Sequence, residues 1–250
     1  MQDLERLDSI LSYLKQHHSA TVESLAKEFY VSPSTVRRDL TALEKTGMIH
    51  RTHGGAIYND RIKEVSIEVR KKENEAVKNE LAIIANKYIP EFNSIFIDNS
   101  STCLKLVKYL NLNKKLVVTN SLIIVSEIKS FYDANIIFLG GEYDLDSMSS
   151  TGPLAYENLN NFHFDLMVQS AASVDIDGAY ENELKVSTIK KIARERATKH
   201  ILIFDKSKIE KSASYKSSSL KDFDFIICDL SDEEIAKFKE QKPYLNIYNK

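Results

Sequence analysis

Cysteine is scarce. The 250 residues contain two, Cys103 and Cys228, far apart in the chain. That excludes a disulfide-stapled framework and points to a reducing compartment. Long apolar runs are missing as well: no stretch approaches the roughly 20 residues that a membrane-spanning helix needs. The opening MQDLERLDSI carries acids and no apolar run, which excludes reading it as a signal peptide. Neither sign of charge dominates. The net charge is −2, so any surface made for nucleic acid must be local. There is no internal repeat and no low-complexity tract, and KSKIEKSASYKSSS (206–219) reads as a polar, serine-rich loop. No His/Cys cluster has the spacing of a metal site, and no cofactor is expected. What is present is 43% hydrophobic and 28% charged residues, enough for a sizeable core, in a chain long enough for two folding units. The expectation is a cytoplasmic protein without a membrane partner.

Residues 1–58 read as three helices and a hairpin. Leu4, Leu7, Ile10, Leu11 and Leu14 recur at helical spacing. A second helix opens at Thr21, a suitable N-cap, and carries Val22, Leu25, Ala26 and Phe29 on one side. In VSPSTVRRDL (31–40), Ser32 can cap a third helix, with Pro33 at the first helical position, where a missing N–H costs nothing. Val36, Leu40 and Leu43 then make a buried stripe, which turns Ser34, Thr35, Arg37, Arg38 and Thr41 outward near the helix start. Gly47 is expected to end this helix. IHRTHGGAI (49–57) reads as a strand-turn-strand wing that reverses at Gly54-Gly55.

Two helices joined by a short turn, with a basic outward start on the second, are the parts of a helix-turn-helix. The first turn of such a helix enters the major groove, where arginine pairs with guanine edges and hydroxyls reach phosphate. By themselves, Arg37 and Arg38 fit an ordinary solvated face equally well. His50, Arg51 and His53 add a second basic element where a wing would touch the DNA backbone.

After a charged stretch at 59–75, taken as a linker, the rhythm changes. SIFID (94–98), LVVT (116–119), NIIFL (135–139), DLMVQ (165–169), ILIF (201–204) and FIIC (225–228) read as buried strands. STCLKLVKYL, SLIIVSEIK and VSTIKKIARERATK between them have helical period. The fold class is therefore α/β: an N-terminal winged helix-turn-helix, then a larger α/β domain at 76–250 with a mostly parallel sheet. Ligands gather at the carboxyl ends of parallel strands. There stand Asp98, Asn99, Ser100, Ser101 and Thr102, then Thr119, Asn120 and Ser121, then Gly140 and Gly141, with Lys206 just after ILIFD. Short hydroxyls at helix starts make an anion site, although in any single loop they also serve as plain caps.

Several of these stretches resemble one family. Arg6, Ile10 and Leu14 followed by S-P-S-T-V-R-R-D-L (32–40) resemble the N-terminal signature of the DeoR family of bacterial transcriptional regulators, and RTHGGA (51–56) is similar to that family's wing. DNSST (98–102), VTNS (118–121), LGG (139–141), TG (151–152) and DKSK (205–208) resemble, in the same order, its sugar-phosphate-sensing domain. The likeness covers nearly the whole chain. It implies a repressor, not an enzyme, that leaves a double-stranded DNA operator when a phosphorylated sugar binds, with Gly152 and Lys190 added to the effector-binding residues. A single small recognition helix offers few contacts, so a homo-oligomer of at least two copies is expected, held by the second domain and residues 59–89.

The sequence departs from the family pattern in one region. In QSAASVDIDG (169–178), Ser170 and Ser173 stand where the family has glycine, and Val186 stands where it has glutamate, four residues before Lys190. Glu183 is the nearest substitute carboxylate. Two other functions stay open: a DNA binder whose second domain only oligomerises, and an isomerase-like enzyme with Asp98 or Glu183 as general base.

Overall fold

The computed structural model describes residues 3–44, 49–58, 65–209 and 211–249. The chain divides between Val69 and Arg70 into two units.

The first unit runs α1 (Asp3–His17), β1 (Ser19–Thr21), α2 (Val22–Glu28), α3 (Pro33–Glu44), β2 (Ile49–Arg51) and β3 (Gly55–Tyr58). Its three strands form an antiparallel sheet in the order β1-β3-β2. Helix α2 starts where Thr21 Oγ1 accepts from the Ser24 amide at 3.1 Å. Helix α3 starts where Ser32 Oγ accepts from the Thr35 amide at 3.2 Å, with Pro33 as its first residue. Both caps satisfy donors that the helix itself leaves open. Ile10, Leu14, Val22, Leu25, Val36, Leu40, Leu43, Ile49 and Ala56 form the core, each large aliphatic side chain contributing about 1.5–3 kcal/mol by leaving water. Leu7 and Leu11 pack at its edge. The Leu4 side chain and Gly47, the expected helix end, lie outside the described residues.

The wing differs from the sequence reading in one respect. Its reversal spans Thr52–Gly54, closed by the Thr52 amide on the Gly55 carbonyl at 3.0 Å, and Gly55 already belongs to β3. Gly55 is required by close approach and not by the turn: a Cβ there would stand 2.0 Å from the Ala20 carbonyl oxygen of the neighbouring strand.

Beneath the exposed face of α3 lies an ion pair that the apolar stripe does not announce. Asp39 accepts from Arg6 Nε at 2.7 Å and from Arg6 Nη2 at 3.1 Å, tying α3 to α1. Both side chains are buried. Removing one partner strands the other charge in the core, so Asp39→Ala should lower the stability of the DNA-binding unit by about 3–5 kcal/mol, read by urea unfolding.

The second unit receives α4 (Ile67–Arg70) at its boundary and continues with α5 (Glu75–Tyr88), β4 (Ser94–Ile97), α6 (Ser101–Leu106), β5 (Leu116–Thr119), α7 (Leu122–Phe131) and β6 (Asn135–Phe138). A ribbon follows, β7 (Glu142–Asp144) and β8 (Ser149–Thr151), then α8 (Pro153–Leu159), β9 (Phe164–Gln169), β10 (Ser173–Asp175) and β11 (Gly178–Glu181). The chain ends with α9 (Leu184–Glu195), β12 (Ala197–Phe204), β13 (Tyr215–Ser218), β14 (Phe225–Cys228), α10 (Asp232–Gln241) and β15 (Ile247–Tyr248). Of the expected linker, residues 59–64 lie outside the described residues.

Seven strands form one sheet in the order β15-β14-β12-β9-β4-β5-β6, and every neighbouring pair is parallel. Alternate residues feed opposite faces. Ile95, Ile97, Val117, Leu166, Val168, Ile201 and Ile203 pack with α5, α6 and α7. Phe96, Val118 and Met167 pack with α8 and α9, and Leu202, Phe204, Ile226 and Cys228 pack with residues of α10 and the β10-β11 hairpin. Both faces are covered, which is why these strands read as continuous apolar runs. Cys103 and Cys228 are buried and unbridged. Among the described residues no helix is long and apolar enough to cross a membrane.

Two stretches depart from expectation. Ala197–Lys199, given a helical period, is the start of β12: α9 stops at Glu195, and Ala197 pairs with Phe164. Ladder pairing with a buried strand outweighs local propensity. Tyr215–Ser218, inside the expected serine-rich loop, is strand β13 and pairs with β11.

Candidate DNA interface and ligand crevice

The first turns of α3 present Ser32, Ser34, Arg37 and Arg38 to solvent, with Thr35 and Thr41 half-buried, and the wing exposes His50, Arg51 and His53. Ser32 Oγ lies 2.7 Å from Ser34 Oγ and 2.9 Å from Thr35 Oγ1, so three hydroxyls cluster at the helix start. Thr41 Oγ1 donates to the Arg37 carbonyl at 2.8 Å and accepts from Arg51 Nη1 at 2.9 Å. The Arg51 amide donates to Glu44 at 3.1 Å. The wing is thus fastened to the helix beside it, and Arg51 keeps further guanidinium donors for phosphate.

In the second unit, strands β4, β5 and β6 succeed one another toward one edge of the sheet, and β9, β12, β14 and β15 toward the other. The direction reverses between β4 and β9. At such a reversal the flanking loops part and leave a crevice at the carboxyl ends. Asp98 stands there after β4, and Gln169 and Ser170 at the end of β9.

Asp98 is saturated. Its Oδ1 accepts from the Ser100 amide at 3.0 Å and from Ser100 Oγ at 2.6 Å. Its Oδ2 accepts from the Ser170 amide at 3.1 Å and lies 2.9 Å from Lys190 Nζ. Lys190 is equally committed: its ammonium also donates to Glu181 at 2.7 Å and to the Ser170 carbonyl at 2.8 Å. Three donors have three partners. Burial opposes ionisation of both groups, but Lys190 holds the Asp98 carboxyl below its ordinary range, and Asp98 with Glu181 hold the Lys190 ammonium above its own. The carboxylate beside Lys190 is Glu181 of β11, where the sequence suggested Glu183; Glu183 instead precedes α9 as its N-cap residue.

Other polar groups at these strand ends are not satisfied. Asn120 Oδ1, Ser121 Oγ, Ser150 Oγ, Ser170 Oγ and both amide atoms of Gln169 are buried and make no hydrogen bond within the chain. Each such group costs about 1–3 kcal/mol when left unpaired, so a cluster of them calls for an explanation. Gln169 and Ser150 were not anticipated from the sequence, although a glutamine closing the apolar run FDLMVQ was a readable sign.

A model of the DeoR C terminal sensor domain matches residues 73–230, and one of the DeoR-like helix-turn-helix domain matches residues 6–62. The chain belongs to the DeoR family. It is a DNA-binding transcriptional regulator. The transcriptional repressor GlcR of Bacillus subtilis is 29% identical over 239 residues, 92% of this chain and 89% of the relative. The L-fucose operon activator of Haemophilus influenzae is 30% identical over 247 residues, 97% of this chain and 98% of its own. Among solved structures, ribose 5-phosphate isomerase A from Neisseria gonorrhoeae gives a TM-score of 0.39 at 18% identity, covering 53% of this chain and 52% of that one, a likeness too low to bear on activity.

The remaining residues expected at an effector site in this DeoR-family chain take distinct places in the structure. Ser100 caps α6 by accepting from the Cys103 amide at 3.1 Å, the plain capping use. Ser121 makes no such cap. Thr119 Oγ1 donates to the Ile97 carbonyl at 2.7 Å, and Asn99 Nδ2 to Ser149 Oγ at 3.0 Å, which draws the β7-β8 ribbon over the strand ends. Ser101 and Thr102 are buried in the first turn of α6. Gly140, Gly141 and Gly152 all have positive φ at the foot of that ribbon, and a Cβ on Gly141 would stand 2.6 Å from the Thr151 carbonyl oxygen. Lys206 faces elsewhere. It pairs with Glu234 of α10 at 2.6 Å, and its amide donates to Asp229, just after β14, at 2.5 Å. Of the two lysines expected to hold the effector, Lys190 has all its donors engaged within the chain, and Lys206 is turned to α10.

Two outcomes follow from this geometry. Arg37→Ala or Arg38→Ala should cost about 1–3 kcal/mol of operator affinity at a guanine contact, while Arg51→Ala should weaken all sequences alike and reduce the salt slope by about 1, both read by anisotropy across a salt series. Lys190→Met should destabilise the sensor unit by about 3–5 kcal/mol, because Asp98 and Glu181 are left buried together, as checked by urea unfolding.

Proposed function

We propose that this DeoR-family protein acts in the cytoplasm as a repressor of sugar-metabolism genes. It would bind a double-stranded operator as a homodimer or larger oligomer and let go when a phosphorylated sugar enters the crevice between β4 and β9. One observation carries this reading: the unpaired polar atoms of Asn120, Ser121, Ser150, Gln169 and Ser170, gathered at the strand ends where a parallel sheet receives its ligand. Hydroxyl donors and acceptors of a sugar match that inventory. A domain kept only for oligomerisation would gain stability by filling the place with apolar side chains, and Ser170, which departs from the family pattern, adds a hydroxyl to the set. Catalysis is disfavoured by the charges themselves. A general base works best with a pKa near the operating pH, whereas Asp98 and Glu181 are both paired with one ammonium, and Asp98 is held low. The name of GlcR supports repression, and that of the L-fucose operon activator the opposite sign, which a promoter-reporter assay with and without the protein decides.

A panel of phosphorylated sugars, screened by thermal shift and by operator anisotropy, is expected to contain at least one that raises the melting temperature and weakens DNA binding about 5–150-fold. Gln169→Leu should abolish that response while raising stability by about 1 kcal/mol, the trade expected of a binding residue. If no phosphorylated sugar moves either signal, the oligomerisation-only reading replaces this one.

A further inference from the structure

The turn between α2 and α3 carries a side chain that the fold itself does not require. Helix α2 ends with the Val31 amide donating back to the Ala26 carbonyl at 3.1 Å, the closing hydrogen bond of a Schellman-type helix end. That closure needs a left-handed residue just before Val31, a place ordinarily filled by glycine. Tyr30 fills it, with φ 54°. For a bulky side chain this conformation is uncommon and unfavourable, because Cβ crowds the following carbonyl. Glycine adopts it freely.

The ring adds nothing to the packing of the unit. Its neighbour Phe29 turns inward and meets Tyr13 edge-on, with ring centroids 5.9 Å apart. Tyr30 is 94% exposed, and among the described residues its ring meets no other ring and its hydroxyl has no partner. A solitary exposed aromatic is ordinary on a protein surface. One held in a left-handed turn is not, since neither backbone nor ring gains from being there. Such an outlier points to a use outside the chain. Its position indicates which. Tyr30 stands two residues before Ser32, the cap of α3, whose hydroxyl clusters with those of Ser34 and Thr35. The segment leading into a recognition helix passes the phosphates that border the groove, and tyrosine is among the side chains that donate to them.

We propose that Tyr30 is a contact to the DNA backbone, its hydroxyl donating to a phosphate oxygen at the edge of the groove that α3 enters. The left-handed backbone and the exposure then have one account: the turn keeps the shape that closes α2, and the side chain on it serves the duplex. This contact differs in kind from that of Arg51. A phenol hydroxyl is a neutral donor and releases no counterion, so it adds affinity without adding to the salt slope, whereas a guanidinium on phosphate adds to both. It carries no base information and strengthens all sequences alike. The proposal rests on the DNA-binding assignment and is independent of which ligand releases the operator.

Anisotropy with a labelled duplex of mixed sequence, measured on the full chain across a salt series and set beside thermal melting of each variant, tests this. Tyr30→Phe should melt as the wild type does and bind about fivefold more weakly, as expected for one neutral hydrogen bond, with an unchanged salt slope. Tyr30→Gly should bind at least as weakly while melting no lower than wild type, because glycine takes the turn freely. Arg51→Ala in the same series should lower the slope by about 1, which separates the two kinds of contact in one assay. Wild-type affinity in either Tyr30 variant overturns the proposal, as does a salt slope that falls when the hydroxyl is removed. Weaker binding by Tyr30→Phe together with a lowered melting temperature assigns the hydroxyl to the fold and overturns it as well.

Discussion

The sensor unit depends on one ammonium, that of Lys190. It reaches from α9 to the point where the sheet reverses direction and binds the carboxylate ending β4, the carboxylate ending β11 and the carbonyl following β9. Three strand ends meet at that atom. Without it, Asp98 and Glu181 would face one another as buried like charges, a situation that costs far more than the pair contributes when intact. The consequence for the site is a division of labour. Charged groups at the reversal tie the strand ends together, and neutral amides and hydroxyls are left unpaired beside them, where the proposed ligand would meet them. Sugars are distinguished by the directions of their hydroxyls, and fixed neutral partners discriminate by being left unpaired when a hydroxyl is absent.

Much of this was legible in the sequence, for physical reasons. Strands buried on both faces must be apolar at every position, so SIFI, LVVT and FIIC announce themselves, and the reading of VSPSTVRRDL as cap plus recognition helix needed nothing beyond local chemistry. What escaped were pairings set by the tertiary fold. Ala197–Lys199 became strand because Phe164 and Leu166 were waiting beside it, and Tyr215–Ser218 because β11 offered an open edge. Glu181 was passed over for Glu183 because spacing along the chain does not say which carboxylate a hairpin turns inward. Lys206 drew notice by following a strand end, yet Glu234 of α10 claims it. The sequence held two overlooked signs. Gln169 closes an apolar strand, and Asp39 interrupts an apolar helical face with Arg6 available on α1.

The two units solve similar problems differently. In the DNA-binding unit a buried bidentate Arg6–Asp39 pair sets the angle of α3 against α1, and the exposed face is free to carry arginines because the core is complete without them. In the sensor unit the polar groups are themselves inside, so the proposed ligand chemistry and stability would draw on the same residues. Substitutions on α3 should therefore separate function from folding more cleanly than substitutions at the strand ends.

The Lys190 contacts also impose an order on biosynthesis. Lys190 leaves the ribosome some ninety residues after Asp98, which at about 5–20 residues per second is a delay on the order of 5–20 s. Until then the β4 end holds a carboxylate that cannot be buried, so the β4–β6 half of the sheet has no stable nascent form of its own. The DNA-binding unit, whose hydrophobic cluster closes between Ile10 and Ala56, waits for nothing downstream. Each new molecule would then carry a finished DNA-reading head while its ligand-reading body is still being made.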